Sequence, residues 1–455
     1  MGTGKMEPLF CLFLGMCLLA GCVPVAQSGT GSTSAANTDY ARTKMLVLED
    51  KIYEPDTRTV LFYANTGKEA DVLEPPTISL GTSNVLRLEW DEMGNTYHNY
   101  YYKILPCTWD WKPGILQDME ITEQYNEFVM DGYELSSGTR VPFVHYFANV
   151  PRVKLSGNYV LMVYREGKKE DVVITRRFVV FENQVGIAPE VKFAAGVGER
   201  FTRQQVDFNI SYGQFPAINP VQSMKVVVRQ NGRWDNAIVG LAPFFVRDLE
   251  RTLDYHLVDL TNTFAGGNEW RSFDIRSIRF KRFGVNDLKF DNNRADAWLN
   301  LDGSRNLRNY SFFIDANGRF AIGKAEAEDG NITADYVFTH FYLKPPADMG
   351  DKDVYVFGAL SDWRLDPAFR LRPDTANAGV LTTTVPLKQG YYNYGYATMP
   401  RGSTSQPDLT ELEGTYNLTE NYYDILVYYK QIGARYDQLI GYTRVAYNPA
   451  QRNRR

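Results

Sequence analysis

Beyond residue 40 the chain is written almost entirely in short runs of Val, Ile, Tyr, Phe and Thr separated by turn clusters, with almost no helical period. This pattern limits the fold more than any other feature, because such runs become stable only when laid side by side in sheets. Residues 85–90 alternate Val-Leu-Arg-Leu-Glu-Trp, which makes one strand face apolar. Similar runs occupy 157–164, 172–180, 205–212, 224–228, 310–315, 335–343, 354–360, 381–387, 391–396 and 424–429. Asn231-Gly232 and Asn317-Gly318 suit tight hairpins. A helical turn is expected within 116–128. Repeated short strands with this punctuation read as an all-β chain of tandem immunoglobulin-like β-sandwiches.

A length of 455 residues suggests roughly two to four domains. Residues 183–189 (Asn-Gln-Val-Gly-Ile-Ala-Pro) read as a linker and 326–330 (Glu-Ala-Glu-Asp-Gly) as a second break. The expected division is a leader 1–21, a tether 22–43, and sandwiches at 44–185, 186–328 and 329–455. The aromatic excess, with 30 Tyr and 26 Phe, suits strand faces. An apolar share of 44% excludes a disordered chain. The formal net charge of −5 argues against a dedicated nucleic-acid binder.

The leader has a specific ending. Residues 9–19 are apolar but rise only about 16 Å as a helix, too short for a ~30 Å hydrocarbon core. With Lys5 ahead of it, this run reads as a secretory signal peptide. Leu19-Ala20-Gly21-Cys22 resembles the lipobox of bacterial lipoproteins, which implies cleavage before Cys22 and lipid on its sulfur. Cys11 and Cys17 leave with the leader, so Cys107 has no intramolecular disulfide partner and is expected to be a small buried apolar residue. Residues 23–40, rich in Ser, Thr, Gly and Ala, form a flexible tether. Val23-Pro24-Val25-Ala26-Gln27 lacks the acidic residues that accompany export to the cell surface, so the expected location is the periplasmic face of the outer membrane, held by lipid.

Catalytic signals are absent from the sequence. His98, His145, His256 and His340 are widely spaced, and no His-Glu-x-x-His, Cys-x-x-Cys or Gly-x-Ser-x-Gly occurs. Asp315-Ala316-Asn317-Gly318 lacks the spacing and closing Glu of an EF-hand and reads as a turn. Asp408, Glu411 and Glu413 read as solvated loop carboxylates. No enzyme, cofactor or metal is expected.

Two resemblances follow. Asp353 to Trp363, with 335–343 and Gly390-Tyr391-Tyr392-Asn393-Tyr394-Gly395-Tyr396, resembles the Gly…Asp-Trp segment of starch- and glycogen-binding sandwiches. Sugar binding there would need exposed aromatic faces. Trp363 lies where that family keeps a packing residue, and Tyr392, Tyr394 and Tyr396 share one strand face.

The second resemblance spans about 51–447. It is carried by Gln230-Asn231-Gly232-Arg233-Trp234-Asp235-Asn236-Ala237, by Phe264-Ala265-Gly266-Gly267-Asn268-Glu269-Trp270-Arg271, and by Leu387-Lys388-Gln389-Gly390-Tyr391-Tyr392. Glu413-Gly414-Thr415-Tyr416, Thr419-Glu420-Asn421 and Tyr436-Asp437-Gln438-Leu439-Ile440-Gly441 continue it. In this order the strings resemble the plug protein of the type IX secretion system. The family's usual His-Cys pair appears here as Pro106-Cys107. The resemblance implies a non-enzymatic protein that plugs the periplasmic mouth of a large outer-membrane β-barrel translocon when no cargo is in transit. Its partners would be that barrel and, through lipid on Cys22, the membrane. The signature residues Trp234, Asn236, Asn268, Arg271, Trp363 and Tyr392 are expected to maintain the fold. The alternative is a glycan-binding lipoprotein that uses the C-terminal module.

Overall fold

The computed structural model describes residues 1–2, 44–83, 85–327, 329–403 and 406–448. The signal peptide, the lipid site Cys22 and the tether read from the sequence lie outside them. The described residues from 44 onward belong to one compact unit.

The fold is all-β. The first sandwich packs two sheets face to face. One is ordered Lys51–Ile52, Val172–Phe181, Gly157–Arg165, Tyr100–Cys107 and Phe128–Val129, with Thr77–Ser79 running parallel beside Val172–Phe181. The other is ordered Thr57–Asn65, Val85–Met93, Phe143–Val150 and Gly132–Leu135. Period-two alternation directs Leu86, Leu88 and Trp90 inward, where they meet Ile104, Tyr146, Leu161 and Phe178. The expected helical turn is present as Asp118–Ile121. Cys107 is buried, and burial pushes its thiol up to about 12, which leaves it an inert apolar filler.

The two remaining sandwiches do not follow the linear division at 186–328 and 329–455. Gly186–Phe193, Arg203–Ser211, Thr252–Asp254 and Phe245–Arg247 make one sheet of the second sandwich. Its other sheet is ordered Ile238–Val239, Met224–Gln230, Asn421–Tyr429 and Gln438–Tyr447, so the last two strands of the chain return to it. The reason lies in strand Met224–Gln230. Val226 and Val228 face the sandwich core while Val227 faces outward into a second apolar cluster, so the strand is buried on both sides. Such a strand needs a long neighbour, and the short Ile238–Val239 covers only two of its residues. Asn421–Tyr429 covers all seven.

The third sandwich is thus inserted into the second. Gly390–Pro400 pairs with Arg271–Asp274, Phe320–Ile322 and Lys352–Phe357. The facing sheet is ordered Val285–Phe290, Ala295–Gly303, Tyr336–Lys344, Leu381–Lys388 and Arg372–Pro373. Ala295–Gly303 and Tyr336–Lys344 pair directly across the expected break at 326–330, which is therefore a connection inside this sandwich and no domain boundary. The linker at 183–189 is also fixed: Glu182 and Gln184 donate backbone N–H groups to the carbonyls of Leu439 and Ile440 at 2.9 and 2.7 Å.

Candidate functional site

Of the residues singled out by sequence, Trp234 and Trp363 lie where the three sandwiches join, Asn236, Asn268 and Arg271 lie between the second and third, and Tyr392 lies in the core of the third. Asn231 and Gly232 form the expected tight turn, with φ of 54° and 68°. A side chain at Gly232 would meet Pro75 of the first sandwich, Tyr422 of the second and Arg319 of the third, each within 3.1 Å. Only glycine fits a positive-φ turn at a point where three bodies touch.

From this turn two side chains reach in opposite directions. Trp234 meets Trp111 of the first sandwich edge to face at 4.7 Å. Arg177 lies over Trp111 and Arg229 over Trp234, each 4.4 Å from the ring centroid. Arg233 reaches the inserted sandwich and lies 4.5 Å over Trp363, whose edge contacts Trp270 at 5.5 Å. Beside them Arg176 donates to both carboxylate oxygens of Asp362 at 3.1 Å, tying the first sandwich to the third. Trp363 is half-buried, with Arg233 on one face. Tyr392 is buried in the core between Phe273 and Phe320, and its hydroxyl donates to the Lys388 carbonyl at 2.6 Å.

Asn236, Asn268 and Arg271 belong to a cleft of about 550 Å³ between the second and third sandwiches or to its wall. Four of the signature strings line it through Gln230, Gly266, Trp270, Glu413 and Asn421. Several of its polar groups are engaged, while the Asn236 side-chain oxygen is buried without a hydrogen-bond partner. Asn236 donates to Gln230 at 3.1 Å, and Asn268 donates to the Glu413 carbonyl at 2.8 Å. Behind them Arg271 grips Glu413 at 2.9 Å and Asp302 at 2.7 Å, and Arg305 takes the other Glu413 oxygen at 2.7 Å. Glu413, expected as a solvated loop residue, is thus buried and paired, and its two arginines offset burial and hold its carboxyl below the usual value.

A third contact was not legible in the sequence. Lys388 of the inserted sandwich bonds Asp91 of the first at 2.6 Å, with both side chains buried. Tyr336 and His145 complete the Asp91 shell at 2.7 and 2.8 Å. Burial pulls the Lys388 ammonium down from its ordinary value, and Asp91 acts against that. Near Trp270, burial raises Glu269 to about 7 and Asp315 to about 6.

This chemistry is adhesive. The histidines are dispersed, each bonded to a different carboxylate: His98 to Glu92, His145 to Asp91, His256 to Asp254 and His340 to Asp296. Among the described residues no group of three or more His, Cys, Asp or Glu could hold a metal ion. No helix among them is long and apolar enough to cross a membrane, which says nothing of β-barrels.

Comparisons with known proteins agree with this architecture. Residues 57–182, nearly the whole first sandwich, match the family described as type 9 secretion system plug protein 1st domain. A crystal structure of a hypothetical protein from Parabacteroides merdae is similar at 30% identity and a TM-score of 0.82, covering 89% of this chain and 100% of that one. A collagen adhesin from S. aureus aligns at 7% identity with a TM-score of 0.10, which carries no argument. No curated protein matches.

Proposed function

We propose, from the premise that this chain belongs to the type IX secretion system plug family, that it closes the periplasmic mouth of the outer-membrane β-barrel translocon between rounds of export. Membership gives a role in type IX secretion and an association with the cell envelope; the family is a secretion component and no enzyme class. Barrels of 16–18 strands already leave an aqueous channel, so a wider one leaks unless it is stopped.

The observation that carries the reading is the welded junction of three sandwiches around Gly232. A stopper must resist bending, and three bodies joined by buried aromatic, cation–π and ionic contacts do so better than beads on linkers. For about 400 residues packed as one unit the expected radius of gyration is roughly 22 Å, which suits a pore tens of ångströms wide. Lipid on Cys22 would hold the protein on the periplasmic face and raise its effective concentration at the mouth. The glycan-binding alternative gains nothing from the structure, since Trp363 carries Arg233 on one face and Tyr392, Tyr394 and Tyr396 are buried.

The test is affinity capture from solubilised outer membranes with mass spectrometry of partners, beside a permeability assay on a deletion strain. Co-purification of a large barrel and raised permeability to a normally excluded dye are expected. Neither result, in cells that contain the barrel, overturns the reading.

A further inference from the structure

One surface loop of the inserted sandwich is not explained by folding or by the junction. Residues 279–283 read Arg-Phe-Lys-Arg-Phe, and all five are exposed. Phe280 is 70% exposed and Phe283 69%. Scattered exposed apolar residues are ordinary, but two phenylalanines interleaved with three cations in five residues are not scattered.

The loop is held firmly at its base. Ile278 before it and Val285 after it are buried in the core of the inserted sandwich. The Ser277 hydroxyl oxygen accepts the backbone N–H groups of Arg279 and Phe280 at 3.2 Å. The Phe283 carbonyl accepts from the Asp274 N–H at 2.9 Å. The phenyl rings are therefore presented by an ordered turn.

Its charge is unbalanced. Arg276, Arg279, Lys281 and Arg282 face three carboxylates, Asp274, Asp287 and Glu326, the last of which accepts from the Ser277 hydroxyl. Asp274 is shared by Arg276 and Arg282 at 2.7 Å, and Asp287 meets Lys281 at 3.3 Å with both groups exposed. Arg279 has no carboxylate partner among the described residues. Aromatic side chains that seek a semi-polar, partly apolar layer, beside cations that seek phosphates, match the interfacial region of an anionic phospholipid bilayer.

We infer that the 279–283 loop is a membrane-contact element: Phe280 and Phe283 enter the headgroup–acyl boundary of a bilayer leaflet while Arg279 and Lys281 engage lipid phosphates. This contact is independent of any acyl chain on Cys22. It would fix the orientation of the inserted sandwich against the leaflet, which a tether alone leaves free.

The experiment uses the chain from residue 22 onward with Cys22→Ser, which contains the whole compact unit and no lipid site. Co-sedimentation is measured with vesicles of phosphatidylglycerol and phosphatidylcholine, and with phosphatidylcholine alone. Binding is expected on the anionic vesicles, weaker on the neutral ones, and weakened by salt. Phe280→Ser with Phe283→Ser should lower the partition coefficient about tenfold or more, and Arg279→Glu should lower it several-fold. Phe244→Ser with Phe245→Ser should change nothing, because that exposed pair lies beside Arg247, which is balanced by Glu250 and Asp254. A Phe280→Trp variant should be quenched by lipids brominated near the top of the acyl chain. Absence of vesicle binding overturns the inference, as does full binding by the double serine variant. Loss of barrel capture in the loop variants without any vesicle binding also overturns it, by making the loop a protein contact.

Discussion

At the scale of the residue, the sharpest test is the buried pair Asp91–Lys388. A buried ion pair contributes little net stability against an apolar replacement, yet breaking it strands a charge. Lys388→Met should therefore lower stability by about 3–5 kcal/mol, read as a downward shift of the denaturant midpoint. Asp91→Asn combined with Lys388→Met should recover a substantial part of that loss; a double variant as weak as the single one would count against the pair as the cause. Glu269 gives a second test. Its folded pKa of about 7 lies above the ordinary 4.5 because of burial. Between those values the folded chain keeps a proton that the unfolded chain has released, so stability falls as pH rises through the window and levels off above it. Asp315, raised to about 6, adds in the same direction. Thermal melts at pH 5 and pH 7.5 should show the higher Tm at pH 5, and Glu269→Gln should narrow the difference. At this scale the sequence showed Trp234 and Trp363 as residues of note. It could not show that Arg233 caps Trp363 or that Lys388 meets Asp91, because these partners lie far apart in the chain and no spacing rule links them.

At the scale of the element, most strands were legible, although the run at 310–315 forms none, and their partners were not. The alternation of residues 85–90 and the apolar run at 424–429 both mark strands correctly, since period and propensity are local properties. That Asn421–Tyr429 pairs with Met224–Gln230 as well as with its near neighbour Gln438–Tyr447 depends on burial of both faces of Met224–Gln230, a tertiary fact. The consequence can be measured. A fragment of residues 186–328 contains Met224–Gln230 without Asn421–Tyr429 and Gln438–Tyr447, leaving Val226, Val227 and Val228 uncovered. That fragment should lack cooperative unfolding and dispersed amide resonances. A stable, well-dispersed 186–328 fragment would show that the returning strands are dispensable. Gly266 offers a finer probe of the same connection. A Cβ there would lie 2.0 Å from the Tyr416 carbonyl oxygen, which is backbone and cannot step aside. Gly266→Ala should therefore destabilise the seam between the second and third sandwiches by several kcal/mol, at the upper end of single-substitution effects.

At the scale of the whole molecule, the proposed plugging raises the question whether it would need a rigid junction or only sufficient bulk. Trp234 binds the first sandwich through Trp111 and Arg177, and Arg233 binds the third through Trp363. Neither side chain is at the centre of a sandwich core, so their removal should loosen the sandwiches against one another more than it unfolds any of them. Arg233→Ala with Trp234→Ala should increase hydrogen exchange along 230–237 and 359–364, while the strands of the three cores stay protected. If rigidity is what seals the pore, this folded but hinged variant should still be captured with the barrel yet leave the outer membrane more permeable than the parent chain does. Retained sealing would mean that bulk and tethering suffice and that the welded junction serves folding alone. Loss of barrel capture would instead make the junction part of the docking surface. Capture and permeability therefore have to be read on the same strain, because only captured protein that fails to seal separates a mechanical role for the junction from a binding one.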